Sequence, residues 1–402
     1  MAPTDDRPYA GLKVLDMSQG VAGPYCAALL GQQGANVIKI EPPEGDWVRV
    51  MGGGRDGMSA LAIAGNLGKR SICIDAAKPE GRALILKMAG RADIFVENFR
   101  PGVMAKLGLD YAALSAVNPG LIYLSVTGFG ASGPDAHKPA TDSIVQALTG
   151  MALINKDAAG LPRRFGILVP DTVTALYATQ CVGAALYARE RQPHGARRGK
   201  HVTVSLVECC AAFQTGAILD DFLFAGQYKP PVTVPAGVFA TGDGYVVLAT
   251  LRDSMWQSLC RALAREDWLA EPRYATSAMR GQCADEINRE VAVIMQGRTS
   301  QEWAKLFEQH DVLFAPVQTY TEFREDPQMR HMGYFGETDQ APYGKLPVPH
   351  APGTARSGAA RSGVLPAAPS SGEHSREILA EFGYTAADIA ELEQAQLVKQ
   401  AS

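Results

Sequence analysis

The chain has 402 residues, 47% of them hydrophobic and 20% charged, and a formal net charge of −4. That is enough chain for two domains with separate cores, at the charge density of an ordinary globular protein. The slight acidity argues against a general nucleic-acid surface; seven scattered cysteines without a CxxC pair argue against a disulfide scaffold, and histidines without an HExxH pattern give no metal centre.

The N-terminal stretch MAPTDDRPYAGLK has neither a basic nor an apolar leader segment, so no secretory signal is expected and the thiols are expected to be reduced, in a cytoplasmic setting. LKVLDM (12–17) is a buried strand, PYCAALLGQQ (24–33) a helix stopped by Gly34, and NVIKIE (36–41) a strand ended by Pro42 and Pro43. The pattern repeats as strand 70–75, helix 79–92 opened by Pro79 and Glu80, strand 93–99 and strand 120–126. Strands separated by helices of this length predict right-handed crossovers and a mostly parallel sheet, an α/β fold. The apolar helix 172–188 has the length of a membrane span, but its threonines, Gln180 and the RER that follows make it a buried core helix.

Beyond residue 225 the pattern changes. A TGDG turn lies between two short β runs in 229–250, predicting an antiparallel hairpin. Helices follow at 253–264, 284–297 and 300–311, the last with Ser300 as its cap and Glu302 in its first turn, and then a strand at 312–318. Residues 342–374 are rich in Pro, Ala, Gly and Ser and are expected to be extended or loosely ordered; the tail forms two short helices split by Gly383. The expected organisation is a large Rossmann-like domain over 1–225, a small α+β domain over 230–325, a linker or wrap over 326–374, and helices over 375–402.

Five places can carry chemistry. The SQGVAGP loop after the first strand has Gly20 and Gly23, with Glu41 closing the second strand, but GxxG is not the GxGxxG of a dinucleotide fold and a close backbone approach to another ligand is favoured. Asn98, Phe99 and Arg100 stand at the carboxyl end of a parallel strand, where open α/β sheets bind ligands; an amide, a ring and a guanidinium there suit an adenine nucleotide, the alternative being a plain helix entry. The glycine loops 51–57 and 127–135 are either mobile or merely irregular. Asp171, between an apolar run and the long helix, has the position of a helix cap, and a helix N-terminus would keep it ionised; a carboxylate there is also able to attack an activated acyl group.

Taken together, GLKVLDMSQGVAGP, GANVIKIEPPEGD, NLGKRSICID, ADIFVENFRPGVMAKLGLDY, NPGLIYLSVTGFGASGP and GEHSREILAEFGY resemble, over nearly the whole chain, the class III coenzyme A transferases of the formyl-CoA and carnitine-CoA transferase type. The resemblance implies that Asp171 is the nucleophile of an acyl-CoA:carboxylate CoA-transferase. It also implies that CoA is a substrate rather than a tightly bound cofactor. The family's CoA contacts fall on Val21, Ala22, Ile74, Asn98, Phe99, Arg100 and Lys106, and near Lys138 to Asp142, including Thr141. Pro42 stands where some members carry a nucleotide-binding arginine. Val21 replaces the glutamine of oxalate-using members, so oxalate is not the expected acceptor. The implied assembly is an interlocked homodimer with the small domain inserted in the large one, and no membrane or nucleic-acid partner is implied. The same fold serves 2-methylacyl-CoA racemases, the alternative function, but Thr141 stands where those need a histidine base. Arg163, Arg164 and Arg252 are the candidates to pair with a second carboxylate of the acceptor.

Overall fold

A computed structural model of the protein describes residues 6–157, 159–193, 195–224, 231, 233–353 and 365–401. The segments predicted as alternating strands and helices form one seven-stranded sheet. Its strands are β1 (Lys13–Asp16), β2 (Asn36–Glu41), β3 (Arg70–Ile74), β4 (Ile94–Glu97), β5 (Ile122–Thr127) and β6 (His201–Ser205), with the terminal pair Val398–Lys399 as the seventh. The spatial order is the terminal strand, β3, β2, β1, β4, β5, β6. Every pairing is parallel except that of the terminal strand, which lies antiparallel on β3 through Val398 and Ile74.

Alternating side chains divide the core between the two faces of this sheet. Val14, Val96 and Leu124 pack on one face with Cys26 and Leu30 of α1 (Ala22–Gln32) and with Ala178 and Val182 of the long helix Val169–Glu190. Leu15, Phe95 and Tyr123 pack on the other with Leu84, Ile85 and Met88 of Pro79–Ala89 and with Ile378 and Leu379 of Ser375–Glu381. Both faces are covered, which is why these strands read as apolar runs. Chain order moves outward from β1 through β2 to β3, then resumes on the other side of β1 at β4. The crevice at the carboxyl ends of β1 and β4 is therefore the topological switch point of the sheet.

By internal packing the chain divides into two units, residues 1–215 with 331–402, and residues 216–330. The second unit holds the expected hairpin, Ala236–Ala240 with Tyr245–Ala249, and Phe314–Pro316 adds to it antiparallel. Its core is aromatic: Trp256 stacks on Trp268 at 5.5 Å and Trp303 on Phe307 at 5.3 Å. Helix Ser300–Gln309 is capped by Thr299 rather than Ser300, because Thr299 and Glu302 close a reciprocal capping box. Part of the Pro/Ala-rich segment is regular: Gly344–Pro349 pairs with Phe335–Gln340 in a two-stranded ribbon, while residues 354–364 lie outside the described part. Among the described residues no helix is long and apolar enough to cross a membrane.

Candidate active site

Asp171 lies at the start of the long helix, but not as its cap. Pro170 tolerates the first turn because it has no N–H to satisfy, so the helix begins at Val169 and its N-cap is Leu168. Asp171 thus stands inside the first turn. A second carboxylate faces it from another element: Asp142, the first residue of the helix Asp142–Leu148, accepts the Asp171 N–H at 3.5 Å through Oδ2. Gln146 holds Asp142 in place, donating to its Oδ1 at 2.6 Å while accepting the Phe165 N–H at 2.7 Å. Asp142 and Gln146 are both buried, so this bridge also ties the approach to the long helix onto the shorter one.

The electrostatics differ from the expectation that the helix terminus keeps Asp171 ionised. Desolvation, and then the neighbouring Asp142, push its carboxyl up to about 7. Desolvation raises Asp142 as well, against the hydrogen bond from Gln146. A carboxylate carried close to neutral ionisation is more basic than an exposed one, and when ionised it is a stronger nucleophile.

The predicted binding residues fall into two groups. Ile74 and Phe99 meet in the wall of a cavity of about 370 Å³ at the switch point, with Gln19, Pro42, Asp75 and Leu107. Pro42, which stands in place of the arginine of some family members, is part of this wall. Phe99 also borders a smaller cavity of about 190 Å³, which Arg100 lines together with Glu97, Tyr111, Ser125 and His201. Asn98 sits between the loops and does not face outward with a free amide: its Oδ1 accepts the Gln19 N–H at 2.7 Å and its Nδ2 donates to the Gln19 carbonyl at 2.6 Å.

The others line neither cavity. Val21 is the N-cap of α1 and Ala22 is buried beneath it. Lys106 is an exposed residue in the last turn of Val103–Leu107. Lys138 is paired with Asp135 at 2.8 Å, and Thr141 is the exposed N-cap of the Asp142 helix, its hydroxyl capping nothing. Arg163 is held by Asp157 at 2.8 Å, Arg164 acts electrostatically on Asp142, and Arg252 is the N-cap residue of Asp253–Ala262 in the second unit. Three glycines of the 51–57 loop, Gly52 to Gly54, line a separate apolar cavity of about 720 Å³ against the 343–352 segment.

Sequence reasoning missed Asp142 as the partner of Asp171. Its signal was present as Asp142 and Gln146 four residues apart on one helix face. It also missed a buried charge network at the switch point. Lys69 bonds Asp16 Oδ2 at 2.6 Å and the Pro24 carbonyl at 2.8 Å, and burial pushes it down to about 8. Lys39 bonds Asp46 at 3.0 Å, and Arg49 grips Glu41 through two bonds of 2.7 and 2.6 Å.

Residues 9–375 match CoA-transferase family III. The chain is 32% identical over 347 residues to succinate–glutarate CoA-transferase of Agrobacterium fabrum, covering 82% of this chain and 85% of that one. It is 32% identical over 401 residues to an acyl-CoA transferase of Fusarium pseudograminearum, covering 96% and 87%. A crystal structure of a CAIB/BAIF family protein from Brucella suis superposes with a TM-score of 0.82 at 30% identity, over 94% of this chain and 100% of that one. The parallel sheet and these matches agree, and the chain belongs to CoA-transferase family III, as an enzyme acting on CoA thioesters.

Proposed function

We propose that the protein moves CoA from a small acyl-CoA donor, such as succinyl-CoA, to a small mono- or dicarboxylic acid, with Asp171 as the covalent nucleophile. The observation that carries this reading is the Asp171 carboxyl, desolvated in the first turn of the long helix beside Asp142 and raised to about 7. An ionised Asp171 oxygen attacks the thioester carbonyl, the C–S bond breaks, and CoA leaves as the thiolate from an aspartyl–acyl anhydride. The thiolate then attacks the Asp171 carbonyl carbon, the donor acid leaves as its carboxylate, and an aspartyl-CoA thioester remains. The acceptor carboxylate attacks that thioester, expelling the thiolate and forming a new anhydride. The thiolate finally takes the acceptor's acyl group and Asp171 is regenerated. No net proton is exchanged. Water would hydrolyse both kinds of intermediate, so the site must exclude it, and the glycine loop 128–133 is the proposed lid.

The CoA nucleotide is assigned to the cavity of Ile74 and Phe99, with Val21, Ala22, Arg100, Lys106, Lys138 and Thr141 along the arm that leads to Asp171. The working unit is proposed to be an interlocked cytoplasmic homodimer. Relatives named for succinate–glutarate exchange favour a dicarboxylic acceptor. Incubation with acyl-CoA alone should attach CoA to a peptide containing Asp171, and hydroxylamine should convert that residue to a hydroxamate and inactivate the enzyme. A label on Cys181, Cys209 or Cys210 instead, or no label with any donor, refutes the aspartyl intermediate. The paired carboxylates Asp142 and Asp171 also suit proton transfer, the racemase reading. That reading predicts deuterium uptake at the α-carbon of a 2-methylacyl-CoA without transfer.

A further inference from the structure

The loops that follow β1, β2 and β4 meet at the switch point, and buried side chains hold the first of them almost atom by atom. The Ser18 N–H donates to Asp16 Oδ1 at 3.1 Å, and the Ser18 carbonyl accepts from Lys39 Nζ. Both backbone polar groups of Gln19 are taken by the Asn98 amide, at 2.7 and 2.6 Å. The Gly20 N–H donates to Asp46 at 3.0 Å. Asp46 also accepts from Lys39 at 3.0 Å and from the Val48 N–H at 3.1 Å, so it joins the β2 loop to the β1 loop, as Asn98 joins the β4 loop to it.

Asp16, Lys39 and Asp46 are 0%, 0% and 2% exposed. Charges so buried are costly to desolvate, and a hydrophobic filling often serves stability as well. What such a network does supply is a backbone with one conformation. Gly20 and Gly23 fit that conformation: Gly20 has φ +78° and lies against Trp47, and a Cβ on Gly23 would overlap Ser18. The outward side of the clamped segment is the ligand side, because Gln19 and Phe99, the latter next to Asn98, both stand in the wall of the 370 Å³ cavity.

We infer that Asn98 and Asp46 are positioning residues for the transfer reaction. They lock Ser18–Gly20 before substrate arrives, so that Gln19 and Phe99 present a preset wall to the acyl-CoA. Asn98 does this with its oxygen and nitrogen both turned onto Gln19 rather than onto the ligand. The identity of the ligand rests on the proposed CoA-transferase activity; the clamp belongs to the free protein. A wall assembled in advance lowers the ordering cost of binding.

Hydrogen exchange of the 17–24 backbone amides, measured without any ligand, tests the clamp, and titration with free CoA together with transfer kinetics tests its purpose. The variants are Asn98→Ala, Asn98→Asp and Asp46→Asn. Asn98→Asp keeps size and the Oδ1 acceptor while removing the donor to the Gln19 carbonyl, so it carries the test should Asn98→Ala fail to fold. In Asn98→Ala the Gln19 amide, its acceptor gone, should exchange about tenfold faster or more. In Asn98→Asp the acceptor stays but a carboxylate oxygen is set against the Gln19 carbonyl; the repulsion should open the segment and speed exchange of the 18–20 amides by a smaller factor. In Asp46→Asn, where the charge is lost and an amide NH2 faces Lys39, the Gly20 amide should exchange faster. The Kd of CoA and the KM of acyl-CoA should rise about 10- to 100-fold, while the KM of the carboxylate acceptor is unchanged. Loss of CoA affinity with wild-type exchange would make Asn98 a direct ligand and overturn the proposal. Faster exchange with wild-type CoA affinity in all three variants would make the clamp purely architectural and overturn it too. Wild-type protein that does not bind CoA overturns the transferase reading and the positioning role with it, whichever way the exchange runs.

Discussion

Replacing Asp171 with asparagine removes a charge that the folded protein holds at a disadvantage. The Asp171 carboxyl ionises near 3.8 in an unperturbed chain and at about 7 in the folded protein, through desolvation first and Asp142 second. The folded state therefore binds the proton more tightly than the unfolded state. Below 3.8 both states are protonated and the group is neutral to stability. The penalty grows as pH rises from 3.8 and is complete above about 7. At 1.36 kcal/mol per pH unit the limit is roughly 4 kcal/mol, and partial solvent access reduces the expected effect to about 1–3 kcal/mol. Asp171→Asn, nearly isosteric, should raise Tm by roughly 2–6 °C at about pH 8, and by about a third of that at about pH 5. Paired thermal scans of the two proteins, following the transition of the unit 1–215 with 331–402, measure it. A gain of equal size at both pH values, or no gain at the higher one, would refute the desolvated-carboxylate reasoning. The same variant, though more stable, should have no transferase activity.

The acid limb of kcat/KM for acyl-CoA should fall tenfold per pH unit below about 7, as Asp171 becomes protonated. Asp142→Asn should move that limb to lower pH by removing the like charge, without returning it to 3.8, because desolvation, the larger cause, remains; a limb that stays in place would exclude Asp142 as a contributor. Gly23→Ala should destabilise the first unit by about 1–3 kcal/mol in thermal scans, since its Cβ would overlap Ser18 beneath the β1 loop. Thr299→Ala should cost the 216–330 unit about 1 kcal/mol, read in the same scans, by opening the capping box with Glu302.

What could be read from the chain alone was what short-range physics encodes. Apolar runs of strand length, with Gly34, Pro42 and Pro43 as stops, located β1 and β2, and Pro79 located the start of its helix, because proline geometry and side-chain burial act within a few residues. The long motifs carried the resemblance to the family, and the resemblance implied Asp171 as the candidate nucleophile. One-residue features were less secure. The caps moved from Asp171 to Leu168 and from Ser300 to Thr299, because the first hydrogen-bonded turn, not the residue type, sets the cap. The terminal strand escaped notice because Val398–Lys399 is too short to show a period and is a strand only by pairing with β3.

The chemistry of the site was decided between residues far apart in the chain. Asp142 reaches Asp171 across 29 positions because two helices converge, and only that meeting, with the burial it brings, turns an ordinary aspartate into one that titrates at about 7. Asn98, whose residue type suggested a ligand contact, is turned by the fold onto Gln19, 79 positions away. Residue type and spacing determine what a side chain is able to do. Its protonation and its partner depend on solvent exclusion and on charges a few ångströms away, and those distances exist only once the sheet has brought the loops of β1, β2 and β4 together.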